Sequence, residues 1–218
     1  MNSAQDARSE LARHIAAHRD GFALARYFIH SPYVYETERR QILFRSWLFA
    51  GHTSQLPDPG DFLQFEIAGE AVVLARDRAH TVHALLNVCR HRGARVCEAA
   101  SGNVSSFTCP YHGWVYDLDG ALKHARDFPE LDCESYGLRR LRILVVHGLI
   151  FINFAADAAD FAAELTLIEP ALASFDLARA NVAETRSYRV AANWKLALEN
   201  YLECYHCATA HRAYSRSH

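Results

Sequence analysis

The chain has 218 residues, half of them apolar, which is enough for one large domain or two small ones. Its formal net charge of −2 gives no electrostatic reason to expect a nucleic-acid-binding protein. No apolar run approaches the roughly 20 residues that a membrane span requires, and the polar N-terminus has the character of neither a secretory nor a transit signal. The sequence therefore predicts a soluble, cytoplasmic protein.

The N-terminal part of the chain predicts helices. Residues 5–19 contain apolar residues four positions apart, as one face of a short helix does. Ser31 followed by Pro32 is typical of a helix N-cap and first helical position, and the helix is predicted to run to Phe44. The proline- and glycine-rich residues 56–60 predict a turn and a boundary.

Between residues 62 and 154 the sequence changes to short β-type runs separated by turns. The predicted strands are residues 62–67, 71–75, 82–86, 114–116, 141–146 and 149–154. Asp119-Gly120 is a typical hairpin turn between two of the runs. This spacing predicts a small, mainly antiparallel β domain.

The pattern becomes helical again after residue 154. An apolar stripe that begins at Phe161 predicts a helix ending at Pro170. Residues 186–190 predict a strand, and Asn193 is a candidate N-cap of a further helix. The predicted fold class is therefore α+β, with an antiparallel β domain between two helical parts.

Two Cys–His pairs are the strongest functional signal. Cys89-Arg-His91 is separated by seventeen residues from Cys109-Pro-Tyr-His112. Each pair occupies a short loop after a predicted strand, so each loop can present one thiolate and one imidazole to the same group. Two sulfur and two nitrogen ligands are what a Rieske [2Fe–2S] cluster requires, with the thiolates on one iron and the neutral imidazoles on the other.

Two other interpretations of these pairs stay open from the residues alone. A structural zinc site also uses two cysteines and two histidines, although such sites more often pair like with like, as C-x₂-C and H-x₃-H. The second alternative is chance, because the chain contains thirteen histidines. The mixed composition of each loop favours the iron–sulfur cluster over both.

The segments CRHRGARVC and CPYHGWVYDLDG resemble the two cluster loops of Rieske-type non-haem iron oxygenases, the ring-hydroxylating oxygenase family. The resemblance implies that the cluster ligands are Cys89, His91, Cys109 and His112. Respiratory and photosynthetic Rieske proteins have an additional, disulfide-bonded cysteine in each loop, where this chain has Ala94 and Tyr111. The chain is thus more similar to the oxygenase and ferredoxin members, and Cys97 is expected to be a packing residue.

The segment ECYHCATAH is a second signal. His206 and His211 are five positions apart, and Glu203 precedes His206 by three. On a regular helix this spacing places the two imidazoles ~140° apart, so the helix must end or bulge between them if both are to reach one metal ion. By itself the pattern is equally typical of surface residues near a helix end.

The same oxygenase family has an acidic residue ahead of a His-x₄-His pair. The resemblance implies that His206 and His211 bind a mononuclear Fe(II), as part of a two-histidine, one-carboxylate triad. It also implies that Glu203 is the catalytic residue that connects this iron to a Rieske histidine of the neighbouring subunit. Glutamate at this position is similar to the branch that acts on quaternary ammonium compounds. The third iron ligand is expected beyond residue 218, so the chain is expected to be the N-terminal portion of an α subunit.

The resemblance implies a fold and a function for the whole chain. The expected domains are an N-terminal helical segment (1–50), a Rieske domain (51–155) and the start of an incomplete helix-grip-type catalytic domain (156–218). The expected activity is O₂-dependent hydroxylation or demethylation of a small aromatic or quaternary ammonium substrate. The expected partners are an NAD(P)H-dependent flavin or iron–sulfur reductase and two further copies in a homotrimer. The alternative is a Rieske ferredoxin-like electron-transfer protein, but such proteins are shorter and lack the His206–His211 segment.

Overall fold

The computed structural model describes residues 3–203 and 205–216. They fall into two compact units: a β unit, residues 40–185, and a helical unit, residues 1–39 with 186–218. Among the described residues, no helix has both the length and the apolar character needed to cross a membrane.

The described part of the β unit contains three antiparallel sheets, with the strand orders β1-β10-β9, β4-β3-β2-β5 and β6-β7-β8. The strands are β1 (Leu48–His52), β2 (Asp61–Ile67), β3 (Glu70–Arg76), β4 (Val82–Leu86), β5 (Ser101–Asn103), β6 (Phe107–Thr108), β7 (Val115–Tyr116), β8 (Leu122–His124), β9 (Arg142–Val146) and β10 (Leu149–Asn153). The six predicted strand regions are all present, and four strands are additional: β1, β5, β6 and β8.

The described helices are α1 (Ser3–Ala16), α2 (Arg26–His30), α3 (Pro32–Gln41), α4 (Ala162–Ser174), α5 (Trp194–Leu202) and α6 (Cys207–Ala210). The predicted Ser31 cap is confirmed, because its Oγ lies 3.4 Å from the backbone nitrogen of Val34. The Asn193 cap is also confirmed, since its side chain accepts a hydrogen bond from the Lys195 N–H at 3.1 Å.

Strand β3 lies at the centre of the β unit. Because side chains alternate along a strand, Val73 and Ala75 face one hydrophobic core, and Val72 and Leu74 face another. The first core packs beneath the loops that follow β4 and β6, and it contains the two loop cysteines of the Cys–His pairs. The strands thus provide a rigid base for these loops.

One predicted strand and two predicted helix ends are wrong. Residues 186–190 form no strand, because no described residue pairs with them and Tyr188 is 78% exposed. Helix α4 continues through Pro170 to Ser174, although a proline inside a helix removes one backbone hydrogen bond and crowds the carbonyl four residues earlier. Helix α3 ends at Gln41, and a single 3₁₀ turn (Leu43–Arg45) takes the place of its last predicted turn.

The turn between β3 and β4 is closed by Asp77. Its Oδ1 accepts hydrogen bonds from the backbone N–H groups of Ala79 at 2.9 Å and Thr81 at 2.8 Å, and its Oδ2 lies 2.8 Å from His83 Nε2. Burial alone would raise the pKa of Asp77, but the hydrogen bonds from His83 and Thr81 outweigh it and hold the pKa below its usual value. The carboxylate therefore stabilises the folded chain.

We expect Asp77→Asn to lower the free energy of unfolding by about 1 kcal/mol at pH 7. A carboxyl group with a lowered folded-state pKa contributes stability above its unfolded pKa and loses it as the pH falls through the folded value. The difference between wild type and variant should therefore shrink below about pH 4. Urea denaturation at pH 7 and pH 3 measures it, with Asp127→Asn, an exposed carboxylate, as the control. An equal loss at both pH values would contradict this role.

Candidate metal centres

The two loops with the Cys–His pairs have the same backbone hydrogen bonds. In the first loop, the Cys89 N–H donates to the carbonyl five residues later at 2.8 Å, and the Cys89 carbonyl accepts from the Gly93 N–H at 2.9 Å. The same two bonds start from Cys109, at 2.8 Å and, from Gly113, at 3.0 Å. Both glycines have a positive φ, +76° and +72°, which side-chain-bearing residues rarely adopt. Each loop therefore needs glycine four residues after its cysteine.

The base of the first loop is held together by Asn87, which is fully buried. Its Oδ1 accepts hydrogen bonds from the backbone N–H groups of Val96 and Cys97, both at 2.9 Å. Its Nδ2 donates to the Cys97 carbonyl at 2.6 Å. One amide thus satisfies three buried backbone groups and fixes the two ends of the loop against each other.

The four predicted cluster residues lie together. Cys89 and Cys109 are 3% and 2% exposed, and their thiols are within hydrogen-bonding reach of each other. The rings of His91 and His112 are 4.5 Å apart between centroids. Among the described residues, the buried Nδ1 atom of His91 has no hydrogen-bond partner. A buried imidazole nitrogen without a hydrogen-bond partner is typical of a metal ligand.

The donor set fits a two-iron cluster better than a single ion. Within the described part of the chain, no three or more Cys, His, Asp or Glu residues are arranged around one ion position. A tetrahedral zinc site would need four such donors around one ion. A Rieske cluster needs two thiolates at one iron and two imidazoles at the other, which is how the donors are grouped. The grouping of thiol with thiol and imidazole with imidazole therefore fits the two-iron cluster.

A second cluster of side chains lies in the helical unit. Helix α5 ends at Leu202, and the one-turn helix α6 separates His206, just before it, from His211, just after it. The two imidazole rings are 5.2 Å apart between centroids. Helix α6 therefore ends between the two histidines, as the five-residue spacing requires if both are to reach one ion.

Glu203 fixes the orientation of His206. Its Oε1 lies 2.5 Å from His206 Nδ1, and its Oε2 accepts hydrogen bonds from the backbone N–H groups of Tyr205 at 2.6 Å and His206 at 3.3 Å. The hydrogen bond from His206 holds the pKa of Glu203 below its usual value. With Nδ1 engaged, Nε2 of His206 is the nitrogen left for a metal ion. Glu203, His206 and His211 line one open cavity of about 720 Å³.

Comparison with known families matches both regions. Residues 46–137 match the model of the Rieske [2Fe-2S] domain, and residues 177–218 match the ring hydroxylating alpha subunit (catalytic domain). The first range contains both Cys–His loops, and the second contains Glu203, His206 and His211.

The glycine betaine monooxygenase oxygenase subunit of Pseudomonas aeruginosa is 36% identical over 209 residues, which is 95% of this chain and 49% of that protein. Among solved structures, a quaternary ammonium Rieske monooxygenase in complex with L-carnitine matches with a TM-score of 0.80 and 31% identity, over 88% of this chain and 56% of that one. Naphthalene 1,2-dioxygenase from Rhodococcus sp. bound to indole matches with a TM-score of 0.81 and 29% identity, over 98% and 51%.

The chain belongs to the Rieske-type non-haem iron oxygenase α subunits. It spans about half the length of the curated relatives that it matches. The predicted family and the α+β fold class with an antiparallel Rieske domain are confirmed. Members of this family use a Rieske cluster together with a mononuclear iron, as expected from the two motifs.

The environment of the Rieske loops shifts the pKa values of a thiol and an imidazole in opposite directions. Burial raises the pKa of the Cys109 thiol, and the neighbouring Cys89 raises it further, although the Tyr111 N–H partly offsets this. Burial and the charges of His112 and Arg92 lower the pKa of His91. His91 is therefore neutral and ready to bind, whereas the thiols release protons when the cluster is inserted.

Tyr116, which the sequence pattern did not single out, connects the two Rieske loops. Its Oη accepts a hydrogen bond from the Arg90 backbone N–H at 3.1 Å and lies 3.2 Å from Cys89 Sγ. Burial and the contact with Cys89 raise the pKa of Tyr116, so its hydroxyl stays protonated. The Arg90 N–H donates to Oη, so Oη is the acceptor in that bond. The hydroxyl proton can therefore point at the sulfur of Cys89. A buried tyrosine close to a cysteine loop was the only signal for this role.

The arginines on the first loop have different surroundings. Arg95 forms an ion pair with Glu66, whereas Arg90 and Arg92 are exposed and have no ion pair within the described chain. Arg90 and Arg92 therefore place two positive charges on the surface of the first loop, where they attract acidic molecules.

We expect Cys109→Ser to abolish the visible absorption and the reduced-state EPR signal, because serine cannot replace a thiolate at the cluster iron. Cys97→Ser is the matched control: Cys97 is also buried, but its thiol donates to the Ala99 carbonyl at 3.5 Å. Absorption spectra of both purified variants give the result. Loss of colour in Cys97→Ser with retention in Cys109→Ser would show that the ligand assignment is wrong.

Tyr116→Phe should lower the midpoint potential of the cluster. A hydrogen bond to a cysteine sulfur stabilises the more negative reduced state, and losing about 1 kcal/mol of that difference shifts a one-electron potential by on the order of 50 mV. Spectroelectrochemistry measures the shift, with Tyr35→Phe in α3 of the helical unit as the control. An unchanged potential would mean that the hydroxyl does not donate to Cys89.

Proposed function

We propose that the chain is the part of an oxygenase α subunit that receives electrons at a Rieske cluster and delivers them to a mononuclear iron. The observation behind this proposal is that one chain contains both sets of candidate metal ligands. A Cys₂His₂ donor set with buried cysteines and partly exposed histidines lies in the β unit, and a Glu203–His206–His211 cluster lines an open cavity in the helical unit. A Rieske ferredoxin-like protein has no need of the second cluster.

In the β unit, Cys89 and Cys109 are assigned to one cluster iron, and His91 and His112 to the other. The shared backbone hydrogen bonds of the two loops give Cys89 and Cys109 the same local conformation. The Tyr116 hydroxyl contacts the sulfur of Cys89 and restricts its position. The cluster supplies a one-electron store whose imidazole ligands raise its potential above that of a four-cysteine cluster.

In the helical unit, His206 and His211 are assigned to the mononuclear iron, which supplies O₂ activation at open coordination positions. Glu203 holds the proton of His206 on Nδ1 and so leaves Nε2 to face the metal. Two histidines supply only part of a facial triad, and a carboxylate from outside these residues completes the set in this proposal. The open cavity gives substrate and oxygen access to this position.

Glu203 is assigned the connection between subunits. Its side chain is 47% exposed while its Oε1 is bonded to His206. A carboxylate oxygen can accept more than one hydrogen bond, so the exposed carboxylate can also accept one from a Rieske histidine of another copy. Such a contact between unlike surfaces generates a closed ring, and we propose a homotrimer.

The substrate class that we propose is a quaternary ammonium compound, which would be hydroxylated or demethylated. It is supported by the similarity to glycine betaine and carnitine monooxygenase oxygenase subunits and by the glutamate at position 203. The similarity to naphthalene 1,2-dioxygenase keeps a small aromatic substrate as the second candidate. The electron donor that we propose is an NAD(P)H-dependent flavin or iron–sulfur reductase, which would approach the exposed Arg90 and Arg92.

Glu203→Gln tests the assignment in the whole oxygenase subunit. The amide keeps the shape of the side chain but loses the charge that holds His206 and accepts from the partner histidine. We expect both the cluster colour and the mononuclear iron to remain, while turnover falls by about 10- to 100-fold or more. The Rieske cluster should then stay reduced in the presence of substrate and O₂.

The control for this experiment is Glu164→Gln, an exposed glutamate in the first turn of α4. It should turn over at the wild-type rate. Normal turnover in Glu203→Gln would remove Glu203 from the electron path, and loss of the mononuclear iron would make Glu203 a ligand.

A further inference from the structure

A largely buried ion pair connects α3 to α5 in the helical unit. Lys195 Nζ lies 2.7 and 2.6 Å from the two carboxylate oxygens of Glu38, and Trp194 Nε1 donates to the same carboxylate at 3.1 Å. The Lys195 and Glu38 side chains are only 12% and 14% exposed. Glu38 thus accepts hydrogen bonds from both of the first two residues of α5.

The residue before α5 adds a second connection to the N-terminal segment. Asn193 caps α5 through its Oδ1, and its Nδ2 donates to the Ile29 carbonyl at 3.0 Å. The first turn of α5 is therefore attached to α2 and α3 by polar groups. Polar contacts of this kind depend on direction, so they set the position and rotation of a helix more strictly than apolar contacts do.

Helix α5 ends at the proposed iron site. Glu203 is the C-cap of α5, and its N–H donates to the Glu199 carbonyl at 3.1 Å. Glu203 lies eight positions after Lys195, and eight positions correspond to about 12 Å along a regular helix. A displacement of the first turn would therefore move Glu203 together with the His206 ring that it holds.

The energetics of the pair suggest a role other than stability. Removing two charges from water costs free energy that their attraction often fails to recover, and well-packed apolar residues of similar size stabilise a protein as well or better. Residues 196–202 of α5 are exposed in the described chain, so its buried contacts are concentrated in the first turn. The charged pair lies at the first turn of α5, where contacts with α3 fix the direction of the helix.

We propose that Glu38 and Lys195 are positioning residues for the mononuclear iron: they fix the start of α5 and thereby the placement of Glu203, His206 and His211. This inference rests on the proposed function. It assigns to α3, which is separated from the iron motif by more than 150 residues, a direct effect on the metal. Neither residue touches the metal or the substrate.

The test is the double variant Glu38→Gln/Lys195→Met in the whole oxygenase subunit. It removes both charges, leaves no unpaired buried charge, and retains an acceptor for the Trp194 N–H. We expect unchanged circular dichroism and cluster absorption, but weaker Fe²⁺ binding by about tenfold or more. The EPR signal of the Fe(II)–nitric oxide adduct should broaden, and the amides of α5 should exchange with deuterium faster in the iron-free protein.

Two further variants isolate the cause. Lys195→Arg keeps the ion pair and should return Fe²⁺ affinity close to the wild-type value. Glu10→Gln/Arg13→Met removes an exposed pair, 3.7 Å apart in α1 of the same unit, and should change nothing. A double Glu38/Lys195 variant with wild-type Fe²⁺ affinity and adduct signal would overturn the proposal. So would one that loses its fold, because the pair would then be a determinant of folding.

A failure of the proposed function gives a different result. His206→Ala should abolish Fe²⁺ binding if this histidine is a ligand. Wild-type Fe²⁺ affinity in His206→Ala would contradict the iron site itself, whatever the behaviour of the ion pair. Loss of iron in His206→Ala together with full affinity in the double variant would overturn the positioning role alone.

Discussion

The structure of the β unit brings two cysteines and two histidines together on two loops, with the cysteines buried and the histidines partly exposed. Two loops of identical hydrogen bonding provide this, and a single buried amide, Asn87, closes the first of them at its base. If Asn87 were apolar, three buried backbone groups would lose their partners, at a cost of about 1–3 kcal/mol each. The central strand β3, buried on both faces, holds the loops on a rigid base.

The two candidate metal sites have contrasting environments. The cysteine ligands of the cluster site are almost fully buried in the β unit, and the hydroxyl of Tyr116 contacts one of the sulfurs. The iron site is formed by short helices and turns, with a glutamate that is nearly half exposed and an open cavity. A buried cluster suits electron storage at a fixed potential, whereas an open iron site suits the entry of substrate and O₂.

The two Cys–His loops and the helix caps could be located from the sequence because their signals are local. The candidate donors of each loop, Cys-x-His and Cys-x₂-His, lie within a few residues of each other. The Ser31 and Asn193 caps likewise lie next to the helices that they begin. The same holds for the central strands, whose apolar runs are bounded by turns. Local patterns are sufficient where the structure itself is local.

Other features could not be predicted because they depend on distant partners. The strand proposed at residues 186–190 lacks a neighbouring strand among the described residues, and an apolar pattern cannot supply one. The contact of Tyr116 with Cys89 spans 27 positions, and that of Glu38 with Lys195 spans 157. The approach of His206 and His211 depends on a one-turn helix, α6, that ends between them, and the spacing left this form open.

The most direct test of the account is pulsed EPR on the reduced protein with ¹⁵N-labelled histidine. The account predicts a spin-coupled two-iron signal with hyperfine couplings to two imidazole nitrogens, both of which change from ¹⁴N to ¹⁵N on labelling. His91 and His112 would then be the two nitrogen ligands, and the two thiolates would complete the set. A reduced protein without an EPR signal, or a two-iron signal without coupling to histidine nitrogen, would contradict the assignment of a Rieske cluster.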